Sequence, residues 1–325
     1  MPRSHAEIYH HHPRIELRGI CDLRQEILEA FRETWADVWP DIRTYTDYRE
    51  MLEAEEPDIV SVCTWHLLHP APTIAAAKGG AKAVICEKPM AISSKEGERM
   101  RAVCDDAGVR LMICFYQRFN ARHCKIKQLL IDGAIGQVTA VRVNFSGRSP
   151  DDPFRWRHDP VQAGGGSYMD NASHSIDLLR FLFGEITEVT AFVDPLAARY
   201  EVEDTASSIL RLSNGAHAVV TSHWSTGDPD ESRNALLEIQ GTAGTIISAP
   251  LHDKFSRGTL TVDMHQESDV YEFERSTHHE VLEDFAVTIA EDRLPTITAS
   301  DGIAAMRVVE AVYESSRRGC VVPMN

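Results

Sequence analysis

Paired cysteine motifs, long apolar runs and a basic surface are all missing from this 325-residue chain. Its seven cysteines (Cys21, Cys63, Cys86, Cys104, Cys114, Cys124 and Cys320) are odd in number, scattered and never spaced C-x-x-C. That argues against a disulfide framework or a cysteine zinc motif. Several sit in apolar runs (SVCTW, VICEK, MICFY), where a thiol behaves as a small core side chain. Reduced thiols suit the cytoplasm. No stretch approaches about 18 consecutive apolar residues and no apolar signal segment stands at the N-terminus, so neither a transmembrane helix nor secretion is expected. Basic residues number 33 against 49 acidic ones, a formal net charge of −16, which repels nucleic-acid phosphates and anionic lipid. Internal repeats and low-complexity tracts are also lacking. What remains is an ordinary globular composition, 43% hydrophobic and 25% charged, and a length suited to two domains.

Over residues 1–119 strand and helix signals alternate. RIELRGICD, DIVSVCT (58–64), AKAVICEK (81–88) and RLMICF (110–115) read as strands, the last three continuously apolar. Between them, LRQEILEAFRETWADV, PAPTIAAAKGG and SSKEGERMRAVCDDAG carry helical spacing or glycine stops. Buried strands separated by helices imply a doubly wound parallel sheet. From residue 120 the pattern changes. After the helix KIKQLLIDGAIG, VTAVRVNFSG alternates with period two, and EVTAFVD, SSILRLSNGAHAVVTSHW, NALLEIQGTAGTIIS, LTVDMH and VYEFER follow as further strands. Asn214-Gly215 marks a hairpin. Helices over about 280–291 and 300–318 close the chain. Residues 120–325 are therefore expected to form an α+β domain with a large, mostly antiparallel open sheet. Its uncovered face would make a homodimer or homotetramer surface.

RIELRGICD ends in Asp22, as the second strand of a dinucleotide-binding fold ends in an acid that accepts from the adenosine ribose. The strand and glycine-rich turn that should come first are not there. SHAEIYHHHP reads as the tail of the first helix, and no G-x-G-x-x-G occurs anywhere. The expectation is an incomplete sheet whose first strand is missing, a natural variant without the phosphate loop being the alternative. The run His10–His12 reads as a solvated helix end, because consecutive helical side chains diverge.

Three stretches carry chemistry. In VICEKPMA (84–91), Glu87 and Lys88 are charges at the carboxyl end of a buried strand, where open α/β sheets bind ligands. In AGGGSYMDNASHSIDLLRFLFG (163–184), three glycines precede a helix on which Asp170 and His174 share a face, with Asp177 near it. A carboxylate beside an imidazole fixes its tautomer and suits proton transfer. In RWRHDP (155–160), Arg157 and His158 suit hydroxyls or phosphate. Each residue set also has a plain structural reading, as a surface ion pair, a helix-face pair or a charged loop.

Together these stretches resemble the glucose-fructose oxidoreductase, inositol dehydrogenase and rhizopine-catabolism (Gfo/Idh/MocA) family. The motifs are Glu87-Lys88-Pro89, and Gly164–Gly166 followed by Asp170, His174 and Asp177, with Ala172 where the family has glycine. TWHLLHPAP keeps Thr64 and His69 of the family's T-P-N-x-x-H loop but puts Trp65 and His66 in place of proline and asparagine. RFN (118–120), GTAG (241–244) and the closing PTITASDGIAAMRVVEAVYESSRRG also fit. The resemblance implies hydride transfer between a sugar, polyol or sugar-derived substrate and a nicotinamide, in the cytoplasm. Lys88 would meet the reacting hydroxyl, Asp170 would orient substrate and His174 would serve as general acid or base. Arg157 and His158 would help bind substrate. Asp22, Thr64, His69, Glu87 and Lys88 would line the cofactor site, with no metal. Asp22 favours NAD over NADP, since a carboxylate repels a 2′-phosphate. Three alternatives use the same residues: a non-catalytic sugar-binding or regulatory protein, an NAD-assisted glycoside hydrolase or lyase, and a metal-dependent hydrolase or lyase built on Asp170, His174 and Asp177.

Overall fold

A computed structural model describes residues 5–149, 155–225, 235–249, 258–264, 267–273 and 279–324. The ends of three expected strands (Asn234, His265 and Glu274–Arg275) lie outside the described residues. The N-terminal part runs α1 (His5–His11), β1 (Gly19–Cys21), α2 (Gln25–Thr34), β2 (Arg43–Tyr45), α3 (Tyr48–Glu55), β3 (Ile59–Val62), α4 (Pro70–Lys78), β4 (Ala83–Cys86), α5 (Ser94–Asp106) and β5 (Arg110–Ile113). Local chemistry sets the boundaries. Asp47 caps α3 by accepting from the Arg49 amide, Pro70 opens α4, and Ser93 caps α5. Strands β3, β4 and β5 pair in parallel, and all four residues of β4 are buried, as its uninterrupted AVIC run requires.

The expected parallel sheet is split. Strand β1 pairs in parallel with β2 alone, and β3 pairs with β4 alone, so no ladder joins the two-stranded sheet to the three-stranded one among the described residues. The split leaves β1 and β2 as a two-stranded unit. It also shortens the expected strand: with one neighbour, only Gly19–Cys21 of RIELRGICD is held in a ladder. The expectation of a fully solvated His10–His12 run needs correcting. His10 and His11 are exposed, but His12 is buried, its Nε2 3.0 Å from Glu283 Oε2.

The second part begins with α6 (Ala121–Ile131), capped by Asn120, and continues through β6 (Val138–Ser146), α7 (Pro160–Ala163), a π turn over Tyr168–Ala172 and α8 (Ser173–Phe183). Strands β7 (Ile186–Asp194), β8 (Thr205–Leu212), β9 (His217–His223), β10 (Ala235–Gly241), β11 (Thr245–Ala249), β12 (Gly258–Met264), β13 (Glu267–Phe273) and β14 (Val322–Pro323) complete a nine-stranded sheet. Its order is β13-β12-β11-β10-β6-β9-β8-β7-β14, antiparallel except between β6 and β9. Asn214-Gly215 makes the β8–β9 hairpin, with Gly215 at φ 88° and the Asn214 side chain accepting from the Ala216 amide. One face of the sheet is covered by the helix Ala299–Arg318, which also packs on α5 and α8 and so ties the two parts together. A Thr298/Asp301 capping box starts that helix.

Ahead of the π turn the glycines are sterically required. Gly164, at φ 75°, ends α7, and a Cβ on Gly166 would lie 2.0 Å from the Glu203 carbonyl oxygen. The buried Glu203 carboxylate in turn accepts from the Gly166 amide (2.7 Å), the Tyr168 amide (2.9 Å) and the Tyr313 hydroxyl (2.8 Å). Gly166→Ala should therefore destabilise the protein by about 1–3 kcal/mol. Gly147→Ala, whose Cβ would meet nothing within 4 Å, should be close to neutral. Chemical denaturation of both variants reads the difference, and an unperturbed Gly166→Ala would contradict the packing described.

Candidate active site

The ladder of the three-stranded sheet ends where the chemistry begins. The Glu87 amide still donates to the Val62 carbonyl at 2.9 Å, and Pro89, which has no N–H, stops the strand two residues on. Lys88, between them, reaches across to the π turn. Its ammonium donates to Asp170 Oδ1 at 2.7 Å and to the Asp170 carbonyl at 2.9 Å. An ammonium has three N–H groups, so one remains for a substrate oxygen. The other carboxylate oxygen of Asp170 accepts from Arg157 Nε at 3.1 Å. Burial alone would raise the Asp170 pKa, but the surrounding charges, Lys88 foremost, hold it well below the usual carboxylate range. The group is an anion clasped by two cations.

His66 completes the cluster. Its Nδ1 lies 2.9 Å from the Ala163 carbonyl, which can only accept, so Nδ1 carries the proton and Nε2 keeps its lone pair. Nε2 stands 3.8 Å from Asp170 Oδ1. Burial pushes the His66 pKa down from 6.5 to about 3, so the ring is neutral. Trp156 packs edge-on against it at 4.7 Å, Trp65 stacks on Trp156, and the Arg157 guanidinium lies 4.5 Å over the Trp156 ring.

His174 follows Asp170 in the same continuous helical segment and is buried, its ring edge-on to Phe115 and Tyr116, the latter 5.1 Å away. The structure thus brings Lys88, Asp170 and Arg157 into direct contact and sets His174 one turn beyond. The other expected site residues are placed differently. Glu87 turns toward α1: Oε1 is 3.2 Å from His5 Nε2, and Oε2 accepts from the Lys88 amide. His69 is fully buried with its ring nitrogens 2.9 Å from the Pro89 carbonyl and 3.0 Å from the Thr64 carbonyl, so it staples the two loops together instead of facing a ligand. Thr64 is exposed beside that staple. His158 is buried away from Asp170, stacked on Tyr200 at 3.9 Å with Nε2 2.9 Å from Ser149 Oγ, and it anchors the loop that presents Arg157. Asp177 takes a bidentate ion pair from Arg118 (2.6 and 2.9 Å), which also reaches Asp301. The helical spacing that placed Asp177 near Asp170 is broken by the π turn, and the Asp170–His174–Asp177 set does not assemble as metal ligands. His66, Trp65, Trp156 and Glu203 carried no chemistry in the sequence reading. For the first two the signal was there, as departures from the family's loop.

A nicotinamide dinucleotide fits this geometry at its two ends. Asp22, at the carboxyl end of β1, accepts from the Arg24 amide at 2.9 Å with the Arg24 guanidinium 3.8 Å from the same oxygen, and its carboxylate has further lone pairs. Lys88 and the Asp170 clasp stand at the carboxyl ends of β3–β5, where a parallel sheet receives its ligand.

Comparison with known proteins agrees. Residues 1–115 match the family described as "Oxidoreductase family, NAD-binding Rossmann fold" and residues 123–247 match "GFO/IDH/MocA C-terminal domain". The chain is 30% identical to D-xylose 1-dehydrogenase (NADP(+)) 2 of Haloferax volcanii, over 86% of this chain and 85% of that one. Among solved structures it is similar to the aldose-aldose oxidoreductase from Caulobacter crescentus complexed with glycerol (TM-score 0.87, 28% identity, 98% and 94% of the two chains). It is also similar to the WlbA dehydrogenase from Bordetella pertussis in complex with NADH and UDP-GlcNAcA (TM-score 0.82, 29% identity, 98% and 94%). The chain belongs to the GFO/IDH/MocA family of NAD(P)-dependent oxidoreductases. No helix among the described residues is long and apolar enough to cross a membrane.

The state of His66 has a measurable consequence. A ring held neutral in the fold takes up a proton on unfolding, so its contribution to stability is complete above about pH 6.5 and is lost as pH falls from there toward about 3. Melting temperatures between pH 7.5 and 5 should fall more steeply for the wild type than for His66→Asn. Parallel curves would show that His66 is not held neutral.

Proposed function

We propose that this chain oxidises or reduces a hydroxyl-bearing carbon of a sugar or polyol with NAD. The reaction takes place in the cleft between a nucleotide-binding domain, residues 1–119, and a substrate domain, residues 120–325. The observation that carries this reading is the contact across that boundary, Lys88 Nζ to Asp170 Oδ1 at 2.7 Å. Asp22 would hold the adenosine ribose, which favours NAD. The bound nicotinamide supplies the hydride acceptor or donor. Lys88 directs its remaining N–H at the reacting oxygen. With Lys88 and Arg157 against Asp170 and a neutral His66, the cluster carries one net positive charge, which stabilises a developing alkoxide. His174 takes the hydroxyl proton in oxidation and returns it in reduction. Asp170 keeps Lys88 aimed. Glu87, His69 and His158 act as positioning residues through the Lys88 amide, the Thr64–Pro89 staple and the Arg157 loop.

Lys88→Ala and His174→Ala should each lower NAD-dependent turnover by about 10²- to 10⁴-fold while circular dichroism stays native-like. NADH should raise the melting temperature of the wild type. Full turnover in both variants would sink the residue assignment. Sugar binding without turnover in the wild type would select the non-catalytic reading.

The free thiols suit the cytoplasm, and the uncovered face of the nine-stranded sheet supports a homo-oligomer. Phe192, Ile209 and Val219 stand exposed on β7, β8 and β9 (78%, 51% and 37%), a row of apolar side chains that water penalises. Phe192→Glu combined with Ile209→Lys should shift the protein to monomer in sedimentation. A wild type that sediments as a monomer would overturn this.

A further inference from the structure

His66 takes no part in the proposed proton and hydride transfers, yet its side chain is held in one orientation beside Asp170. The Ala163 carbonyl fixes its tautomer, and Trp156 fixes its plane. Its Nε2 therefore presents a lone pair in one direction, 3.8 Å from Asp170 Oδ1. We propose that His66 and Asp170 together form a recognition site for two adjacent hydroxyls of the substrate, one donated to His66 Nε2 and its neighbour to the Asp170 carboxylate, making His66 a specificity-determining residue. The inference rests on the reading of this cleft as a sugar or polyol site.

Two acceptors cannot bond each other, and 3.8 Å exceeds a hydrogen bond in any case. The Asp170 oxygens already accept from Lys88 and Arg157, so the donor still called for is one to His66 Nε2, while the lone pairs left on Asp170 can hold a neighbouring hydroxyl. An ammonium group offers enough hydrogens but would add a third cation beside Lys88 and Arg157, which already outnumber the one carboxylate. Vicinal hydroxyls supply two neutral donors at close spacing. Asp170 has room for one of them, because its two oxygens offer about four lone-pair sites and the two cations occupy one each. The remaining N–H of Lys88 can donate to either hydroxyl oxygen.

The site is tested by equilibrium binding, measured by calorimetry with the full chain in the presence of NADH. The probes are D-xylose, D-glucose, myo-inositol and the monodeoxy analogues of whichever binds most tightly. The wild type should bind one analogue at least about tenfold more weakly than its parent, the cost of an unpaired buried acceptor. His66→Phe should weaken the parent to the level of that analogue and bring the ratio of the two near one. His66→Asn, which keeps a side-chain acceptor, should retain part of the discrimination. Thermal melts establish that both variants are folded. Unchanged discrimination in His66→Phe, or none in the wild type, overturns the proposal. D-glucosamine binding more tightly than D-glucose would overturn it in favour of an ammonium ligand. NAD-dependent oxidation of the parent sugar is followed in parallel. If it persists while discrimination ignores His66, only this inference falls. If the wild type neither binds nor oxidises any probe, the functional reading falls and this one with it.

Discussion

The ion pair between Lys88 and Asp170 is the contact on which the arrangement of the cleft depends. Its importance comes from burial and not from distance. Lys82 and Asp58 approach equally closely, at 2.7 Å, but their side chains are 68% and 69% exposed, and such a pair contributes about 0–1 kcal/mol. Lys88 and Asp170 are 15% and 12% exposed. At that depth, removing one partner strands a charge, at a cost of about 3–5 kcal/mol. The pair joins the end of a parallel strand to the start of a helix from the other half of the molecule. It also fixes where the ammonium can point. Arg157 and His66 then find their places around a carboxylate that is already held.

Two supports keep that carboxylate where it is. Below it, Glu203 gathers the Gly166 and Tyr168 amides and the Tyr313 hydroxyl, so the glycine run is pinned by a buried acceptor that no side chain larger than hydrogen would admit. Beside it, Arg118 binds Asp177 and Asp301 and locks α8 to the start of the helix Ala299–Arg318. Both are largely buried polar groups that hold backbone and helices in place through hydrogen bonds. Buried charge of this kind is tolerated because each group has its hydrogen bonds.

Much of this was legible in the sequence, for reasons that differ from residue to residue. The apolar runs that became β3, β4 and β5 announced a covered parallel sheet, and the alternating runs announced an open antiparallel one. Lys88 and Asp170 could be singled out because open α/β sheets bind ligands at strand carboxyl ends and because Asp170 shares a helix face with His174. The rest depended on direction, which spacing does not carry. Asp177 lay three residues from His174 and was expected near the site, but one π turn rotates the helix register between Asp170 and the residues that follow. Glu87, His69 and His158 had the right chemistry for ligand contact, yet their polar atoms are taken up by His5, two backbone carbonyls and Ser149. Strand β2 and helix α3 were passed over because RTY and YREMLEAE are short and mostly polar, and pairing with β1 and packing against β1 and α4 stabilise them.

The separation of β1–β2 from β3–β5 carries a mechanical implication. Each of the two small sheets presents a flank of peptide groups with no ladder partner among the described residues, and helix α3 links them by packing on β1 and on α4. A continuous sheet would have to break its ladder to open. Here the segment bearing Asp22 can swing or loosen without rupturing any inter-strand bond in the segment bearing Lys88. Loosening of β1–β2 is thus not linked to β3–β5 through inter-strand hydrogen bonds among the described residues.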